Sequence, residues 1–183
     1  MKGKRFEFEG EDGIVLAAEA WGEPTNPPVI FAHGGGQTRH SWGGTAQVLA
    51  SQGWYAVAYD HRGHGESEWS PDSLYDMAHF AVDMACLARS FDRPPAVVGA
   101  SLGGLSAMLG AGEIQSDMFS CIVLVDVTPR LNLEGVTRIF EFMSSNMETG
   151  FASLEEAADA IAVYTGRPRK GDLSGLRKNL REI

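Results

Sequence analysis

The segment GASLGG, Gly99 to Gly104, decides the fold of this 183-residue chain. It ends the apolar run PAVVGA and precedes LSAMLGAG, so a buried strand stops and a helix starts at the serine. Ser101 therefore lies in a sharp turn of the pattern G-x-S-x-G, where glycines leave room for the neighbouring backbone. The turn holds the hydroxyl clear of the sheet and leaves the Leu102 N–H unpaired at the helix start. We predict that Ser101 is a nucleophile; a helix cap followed by glycines for close packing is the alternative.

The segments around GASLGG alternate between strand and helix patterns. Short apolar runs bounded by glycine, proline or aspartate predict strands, and apolar residues at helical spacing predict helices. The predicted strands are RFEFEG, IVLAAEAWG, VIFAHGGG, WYAVAYD, PAVVGA and FSCIVLVDV, and the predicted helices cover residues 41–52, 73–91 and 102–114. The first two strands form a hairpin that turns at Glu11-Asp12-Gly13. The remaining order predicts an α/β fold, a mostly parallel sheet with helices on both faces.

The pattern changes after Pro129. Residues 133–148, 153–165 and 173–182 have helical periodicity, no strand pattern lies between them, and Ser153 with Glu156 forms a capping box. The charge balance changes at the same place: residues 1–129 contain 7 basic and 16 acidic side chains, whereas residues 130–183 contain 8 of each. We predict a core domain of residues 1–129 and a helical cap or lid of residues 130–183.

Composition narrows the class of protein. An apolar content of 44% is ordinary for a soluble globular chain, and a net charge of −9 argues against nucleic acid or an anionic membrane as partner. The N-terminal segment lacks the apolar core of a signal peptide, and no apolar run reaches the roughly 18 residues that span a bilayer, so we expect a cytoplasmic protein. Cys86 and Cys121 lie in apolar helix and strand patterns, which predicts buried free thiols.

Three further segments follow predicted strands and should meet the serine at the carboxyl edge of the sheet, where open α/β sheets gather reactive groups. His33–Gly36 follows the third strand, and its glycines let backbone N–H groups point at a ligand. We predict the N–H groups of Gly35 and Leu102 as a pair of oxyanion donors. Asp60–Ser67 (DHRGHGES) forms a polar turn whose two histidines lack the further ligands of a metal site. Asp126 ends the sixth strand.

The segments HGGGQTRHSW, DHRGHGES, GASLGG and IVLVDVTPR resemble the α/β-hydrolase superfamily in their order and distances. The chain is most similar to the bacterial serine hydrolases labelled non-haem peroxidase, haloperoxidase or epoxide-hydrolase-like. The resemblance covers residues 5–130 well and the cap loosely. It implies a Ser–His–acid triad with Ser101 as nucleophile, an oxyanion hole from Gly35 and Leu102, and neither a metal nor an organic cofactor. A serine where epoxide hydrolases and haloalkane dehalogenases carry an aspartate favours acyl transfer through an ester.

The histidine that such a triad needs does not follow Ser101. The triad order in this fold is serine, acid, histidine, but the histidines occupy positions 33, 40, 61, 64 and 79. The resemblance also implies two final strands, which have no counterpart here. Asp126 is a candidate triad acid, with a structural aspartate before the cap as the alternative, and the resemblance places His33 beneath the oxyanion loop. We therefore expect the chain to be the amino-terminal part of a longer hydrolase of roughly 250–300 residues.

The sequence thus predicts a serine hydrolase, in an incomplete form, that acts on a small ester or related acyl substrate through an acyl-enzyme. The predicted substrate-binding residues are His33, Gly34, Phe140 and Met143. Phe142 and Met147 of the first cap helix could also line an acyl pocket, although packing of the cap onto the core explains such residues equally well. A peroxidase-type activity would use the same serine to form peracids without haem.

The sequence also bears on two other classes of protein. A non-catalytic ligand-binding protein, or one that needs another chain such as a second copy to complete its sheet, stays open; a homo-oligomer is compatible with the sequence. A nucleotide-binding protein is disfavoured because GASLGG lacks the order of G-x-G-x-x-G and no P-loop motif is present. A downstream Asp…Gly-His segment in the gene would favour the hydrolase.

Overall fold

The computed structural model describes residues 2–146, 149–169 and 171–180. The chain divides into two compact units, residues 1–129 and 130–183. The strands of the first unit are β1 Lys4–Glu9, β2 Val15–Trp21, β3 Pro28–Ala32, β4 Tyr55–Tyr59, β5 Ala96–Ala100 and β6 Cys121–Val125. Its helices are α1 Gly43–Ser51, α2 Met77–Arg89 and α3 Leu102–Leu109. The described part of the second unit contains only helices: α4 Leu133–Ser144, α5 Leu154–Thr165 and α6 Ser174–Arg177.

The six strands form one sheet in the order β1-β2-β4-β3-β5-β6. β1 and β2 pair antiparallel through the predicted turn at Glu11–Gly13, and β2 also runs antiparallel to β4. The strands β4, β3, β5 and β6 are parallel to one another. The predicted α/β fold with a mostly parallel sheet is therefore confirmed. The carboxyl ends of the parallel strands meet at one edge of the sheet, so the segments that follow them are brought together.

Alternate residues of the central strands enter two separate cores, because side chains of a strand point to opposite faces. Ile30 and Ala32 of β3 pack with Met84 of α2. Val29 and Phe31 of the same strand pack with Ala46 and Ala50 of α1. Helices therefore cover both faces, as the continuous apolar runs of the strands predict.

β6 lies at an edge of the described sheet, and one of its faces is uncovered. Cys121, Val123 and Val125 are exposed, whereas Ile122 and Leu124 between them are half-buried. The exposed residues pair in register with the β5 residues that face α1. The core on that face contains residues of β2, β3, β4 and β5 but none of β6. Both cysteines are free, but Cys86 is only half-buried and Cys121 is exposed, so the prediction of buried thiols is wrong for Cys121 and only partly met for Cys86. The burial of Cys121 depends on whether another element packs against β6, and the apolar pattern of the strand itself does not show this.

Several predicted helices are longer than the observed ones. The helix predicted over 41–52 is α1, Gly43–Ser51, and the helix predicted over 133–148 ends at Ser144 in α4, with residues 147 and 148 outside the described ranges. α2 begins at Met77 rather than at residue 73, because Ser73 has a φ of 57° that a right-handed helix excludes. Asp76 caps α2 by accepting hydrogen bonds from the N–H groups of Ala78 and His79. α3 ends at Leu109 and continues into a π-helical turn, Gly110–Ile114, instead of running on as one α-helix.

The second unit has its own internal contacts. Ser153 caps α5 by accepting from the Glu156 N–H at 3.1 Å, and Glu156 accepts from the Ala152 N–H at 2.5 Å, so the predicted capping box forms with its return bond one residue earlier. Phe142 stacks on Tyr164, with ring centroids 4.2 Å apart. α6 covers Ser174–Arg177 of the predicted helix 173–182, whose residues 181 and 182 lie outside the described ranges. None of the helices in the described ranges combines the length and the apolar character that crossing a membrane requires.

Candidate active site

Ser101 occupies a strained position between β5 and α3. Its φ of 44° and ψ of −109° lie in a region that residues with a side chain rarely adopt. The residue is half-buried, and its hydroxyl makes no hydrogen bond within the described residues, although a serine before a helix commonly caps it. The surrounding structure therefore holds the Ser101 side chain in an uncommon conformation and leaves its oxygen available for another partner.

Two glycines make this turn sterically accessible. A Cβ atom on Gly99 would lie 2.5 Å from the Gly104 nitrogen, and one on Gly103 would lie 2.5 Å from the Ala32 carbonyl oxygen. Both distances are far below van der Waals contact, and in both cases the obstacle is backbone that cannot rotate away. The glycines of G-x-S-x-G are thus required by close approach of α3 to β5 and β3.

Replacing Gly99 with alanine is expected to destabilise the first unit by about 1–3 kcal/mol, the usual cost of overpacking. Urea unfolding followed by tryptophan fluorescence measures this change, since all four tryptophans lie within residues 1–129. Gly112→Ala is the matched control because a Cβ atom at Gly112 meets nothing within 4 Å. An equal effect of the two substitutions would contradict the steric argument.

Of the three successive backbone N–H groups from Ser101 to Gly103, the first and the last are hydrogen-bonded and the middle one is not. The Ser101 N–H donates to the Val125 carbonyl at 3.1 Å, and the Gly103 N–H donates to the His33 carbonyl at 3.2 Å. The Leu102 N–H between them donates to no group within the described residues. It lies at the first position of α3, where the helix dipole favours negative charge. The turn thus presents one unpaired donor beside the serine.

The loop after β3 repeats this alternation. The Gly34 N–H donates to Oε1 of Gln37 at 3.2 Å, and the Gly36 N–H donates to Nε2 of His64 at 3.2 Å. The exposed Gly35 N–H between them has no partner among the described residues. A Cβ atom on Gly34 would lie 3.5 Å from the Ser101 Cβ, so the loop passes directly beside the serine. Gln37 and His64 were not predicted as site residues, because their role depends on contacts formed only in the folded chain.

Three histidines pack together beneath this loop, with ring centroids of His33 and His61 4.6 Å apart and those of His33 and His64 5.1 Å apart. His33 Nε2 accepts from the His61 backbone N–H at 3.1 Å, so its proton is on Nδ1 and is donated to the Gly34 carbonyl at 2.8 Å. His61 donates from Nε2 to the His33 carbonyl and accepts at Nδ1 from the Tyr59 hydroxyl. Each of these two rings is neutral and uses both nitrogens.

Burial changes the titration of the two inner histidines. Loss of solvation lowers the pKa of His33 to about 4, from its ordinary 6.5, and lowers the pKa of His61 well below its ordinary value. Both rings are therefore uncharged at neutral pH. As placed, His33 supports the loop after β3 through the Gly34 carbonyl and uses both ring nitrogens, and its predicted contact with substrate stays a prediction.

Acid is expected to destabilise the protein through these histidines. Unfolded His33 takes up a proton near pH 6.5, whereas folded His33 takes one up only near pH 4. Stability is therefore complete above pH 6.5 and falls as the pH decreases toward 4. From pH 7 to pH 5, His33 alone should lower the free energy of unfolding by about 2 kcal/mol. Urea unfolding at pH 7, 6 and 5 measures this, and a constant free energy would contradict it.

The turn after β4 is fixed by a buried network around Asp60, which is fully buried. The Asp60 carboxylate pairs with the Arg39 guanidinium and accepts from the Glu66 N–H at 3.0 Å, while Glu66 also pairs with Arg39. Pairing with Arg39 lowers the pKa of Glu66. The network ties the turn Asp60–Ser67 to Arg39, which follows the loop Gly34–Gly36. Arg39 was not predicted as a site residue, because a single arginine in a sequence does not indicate its partner.

A second buried ion pair fixes the same turn on α2. Nε and one terminal nitrogen of Arg62 each donate to the Asp83 carboxylate at 2.7 Å, and both side chains are almost wholly buried. Hydrogen bonding to Asp83 raises the pKa of Arg62. The other terminal nitrogen of Arg62 donates to the Leu74 carbonyl at 3.0 Å. The turn that carries His64 is therefore anchored from two sides.

The remaining predicted site residues are not joined to Ser101 by any described contact. Asp126 lies at the carboxyl end of β6 with a φ of 54°, one residue after the carbonyl that accepts the Ser101 N–H, and its side chain is exposed. Phe140 and Met143 lie on α4 and are 64% and 40% exposed. Met147 lies outside the described residues. Within the described ranges, no histidine is hydrogen-bonded to Ser101.

One group of side chains has the spacing of metal ligands. Ligand atoms of Glu11, Asp12 and His79 lie within 4.8 Å of one another at the β1–β2 turn and the start of α2. His79 Nδ1 already contacts the Asp76 carboxylate at 2.8 Å. In the predicted polar turn, both ring nitrogens of His61 and of His64 are hydrogen-bonded within the fold, so these two histidines do not form a ligand pair.

Ser101 is thus a strained serine between a buried strand and a helix, with one unpaired N–H in its own turn and another in the neighbouring loop. The family model described as alpha/beta hydrolase fold matches residues 27–180. The chain belongs to the α/β-hydrolase family. The predicted resemblance is confirmed, and a solved α/β hydrolase from Novosphingobium aromaticivorans is similar with a TM-score of 0.76 at 27% identity, over 89% of this chain and 57% of that one.

Two curated relatives of this α/β-hydrolase chain carry names of enzymes. An esterase of Mycobacterium tuberculosis is 40% identical over 131 residues, which are 70% of this chain and 42% of the relative. A non-heme chloroperoxidase of Streptomyces lividans is 30% identical over 127 residues, which are 69% of this chain and 46% of the relative. The chain thus spans less than half the length of the two curated relatives it is compared with.

Proposed function

We propose that the protein is a serine hydrolase that cleaves a small ester or a related acyl substrate through an acyl-enzyme. The observation that carries this proposal is the pair of unpaired N–H groups, Leu102 and Gly35, on the two segments that meet at Ser101. Two such donors stabilise the negative oxygen that forms when a hydroxyl adds to a carbonyl. The identity to an esterase over 70% of the chain supports the same reaction class.

The proposed chemistry has two steps. Ser101 Oγ attacks the acyl carbon, its proton passes to a base, and the carbonyl oxygen becomes an oxyanion held by the two N–H groups. Collapse of the tetrahedral adduct expels the alcohol, which takes a proton, and leaves the acyl group on Ser101. Water then adds to this ester by the same route and releases the acid. Hydrogen peroxide in place of water would give the peracid reaction of a perhydrolase.

We further propose that the base is a histidine outside residues 1–183. The histidines at 33, 61 and 64 already use both ring nitrogens, and His79 contacts Asp76. His40, the fifth histidine, makes no hydrogen bond to Ser101 within the described residues. The fact that the chain spans less than half of its compared relatives supports such a source. Asp126 is the proposed triad acid among the present residues, because it ends the strand next to the serine.

The residues proposed to contact the substrate define only its general chemistry. Gly34 borders the serine, and Phe140 and Met143 are exposed apolar side chains on α4 that suit an acyl chain. The partner is thus a small acyl compound, whose chain length and alcohol stay open.

Labelling with a fluorophosphonate tests the proposal. The full chain is incubated with the probe at rising concentrations of imidazole, which supplies a base in solution, and the adduct is located by peptide mass mapping. One adduct per chain at Ser101, formed faster with imidazole, is expected. A chain that acquires no adduct at residue 101 under any of these conditions would favour the alternative of a non-catalytic ligand-binding protein.

A further inference from the structure

We propose that His64 is a positioning residue for the oxyanion hole, and this inference rests on the proposed function of Ser101 and Gly35. His64 lies 28 residues from Gly36 in the chain, yet its Nε2 accepts the Gly36 N–H at 3.2 Å. Its Nδ1 faces the Arg62 carbonyl at 3.0 Å and donates to it, since Nε2 carries no proton in this arrangement. The ring thus bridges the turn after β4 and the loop after β3.

The bridge acts on the loop at its most adjustable point. Gly36 has a φ of 72°, and the loop Gly34–Gly36 consists of three glycines, which restrict their own conformation least of all residues. Such a loop depends on hydrogen bonds to keep one conformation, and the Gln37 N–H donated to the Gly34 carbonyl at 3.1 Å closes its turn locally. Gln37 binds the Gly34 N–H from one side and His64 binds the Gly36 N–H from the other. The Gly35 N–H between them is then the one that faces a ligand.

The anchor of His64 is rigid, which is what a positioning residue needs. Its turn is held by the Asp60–Arg39 network and by the Arg62–Asp83 ion pair, both almost wholly buried. Its ring also packs 5.1 Å from the His33 ring, which supports the same loop from below. His64 therefore transmits the position of a fixed turn to a flexible loop, without touching the reacting atoms itself.

Two substitutions separate this role from simple packing. His64→Gln keeps an acceptor at the position of Nε2, since its Oε1 is the same number of bonds from Cα, but removes the ring. His64→Phe keeps the ring and removes the acceptor. Positioning through the hydrogen bond predicts that the glutamine variant resembles the wild type and the phenylalanine variant does not. Packing alone predicts the reverse order.

The readout is the affinity for phenylboronic acid, which forms a tetrahedral adduct with a serine hydroxyl and so probes the oxyanion hole without a base. We expect His64→Phe to raise the dissociation constant about tenfold and His64→Gln to change it by less than about threefold, because a displaced donor loses part of its contribution. Isothermal calorimetry measures both. Unchanged affinity in the phenylalanine variant, or equal weakening in both variants, overturns the proposal.

A second measurement keeps this test independent of the function of Ser101. Hydrogen exchange of the Gly36 amide, followed by NMR, should be slow in the wild type and in His64→Gln and at least tenfold faster in His64→Phe. If the wild type binds no boronic acid, the oxyanion function fails, but this exchange pattern still supports the role of His64 in holding the loop. Equal exchange in all three proteins overturns it. If His64→Phe does not fold, His64→Leu, which also lacks an acceptor, replaces it.

Discussion

Replacing Ser101 with alanine is expected to abolish fluorophosphonate labelling, with a fall in rate of at least about two orders of magnitude. Alanine has no oxygen to attack phosphorus, and the unpaired N–H groups of Leu102 and Gly35 cannot form a bond to the probe by themselves. The adduct is quantified by intact mass over time, with and without imidazole. Acceleration by imidazole should be seen in the wild type only, because the base acts on the Ser101 proton.

Ser120→Ala is the control for labelling. Ser120 is exposed, and its backbone N–H donates to the Pro95 carbonyl just before β6, 19 residues from Ser101. It therefore tests whether an accessible hydroxyl alone reacts, and its removal should leave the labelling rate unchanged. Equal labelling of the wild type and Ser101→Ala would remove Ser101 from the proposed mechanism.

Replacing Asp83 with asparagine is expected to cost about 3–5 kcal/mol of unfolding free energy, the usual loss when one partner of a buried ion pair is neutralised. The change keeps the size of the side chain but leaves the Arg62 guanidinium, 1% exposed, without its counter-charge. The NH2 group of the new asparagine would face an N–H group of Arg62, and two donors cannot bond to each other. One of the two 2.7 Å hydrogen bonds is therefore lost as well. Urea unfolding followed by tryptophan fluorescence measures the loss.

An exposed pair in the same unit is the control. Arg5 and Glu66 lie 3.3 Å apart with side chains 63% and 52% exposed, and Arg5→Ala should cost no more than about 1 kcal/mol. The double variant Arg62→Met with Asp83→Leu should recover part of the stability lost in Asp83→Asn, because it leaves no unpaired charge at this position. A loss below about 1 kcal/mol in Asp83→Asn would show that water or a rearranged side chain replaces the carboxylate.

The local pattern predicted most of the secondary structure but not its ends. The central strands were predicted from runs in which consecutive residues are apolar, because a strand covered on both faces needs apolar side chains pointing to each side. The helix predicted from residue 73 was too long, since periodicity reports the apolar face and not the backbone angle of Ser73. The exposure of Cys121 was also missed, because it depends on which helix reaches the edge strand.

The sequence by itself determined the class of fold and the position of the candidate nucleophile. Glycine spacing and the alternation of strand and helix patterns depend on neighbouring residues and can be read directly from the sequence. The sequence also predicted the N–H groups of Leu102 and Gly35 as donors, but only the tertiary structure explains why the Gly35 N–H stays unpaired. Gly34, Gly35 and Gly36 are identical residues, and only Gly35 is left over because Gln37 and His64 reach its two neighbours. A contact between residues 28 positions apart has no local pattern, and it forms only when the sheet brings the ends of β3 and β4 together.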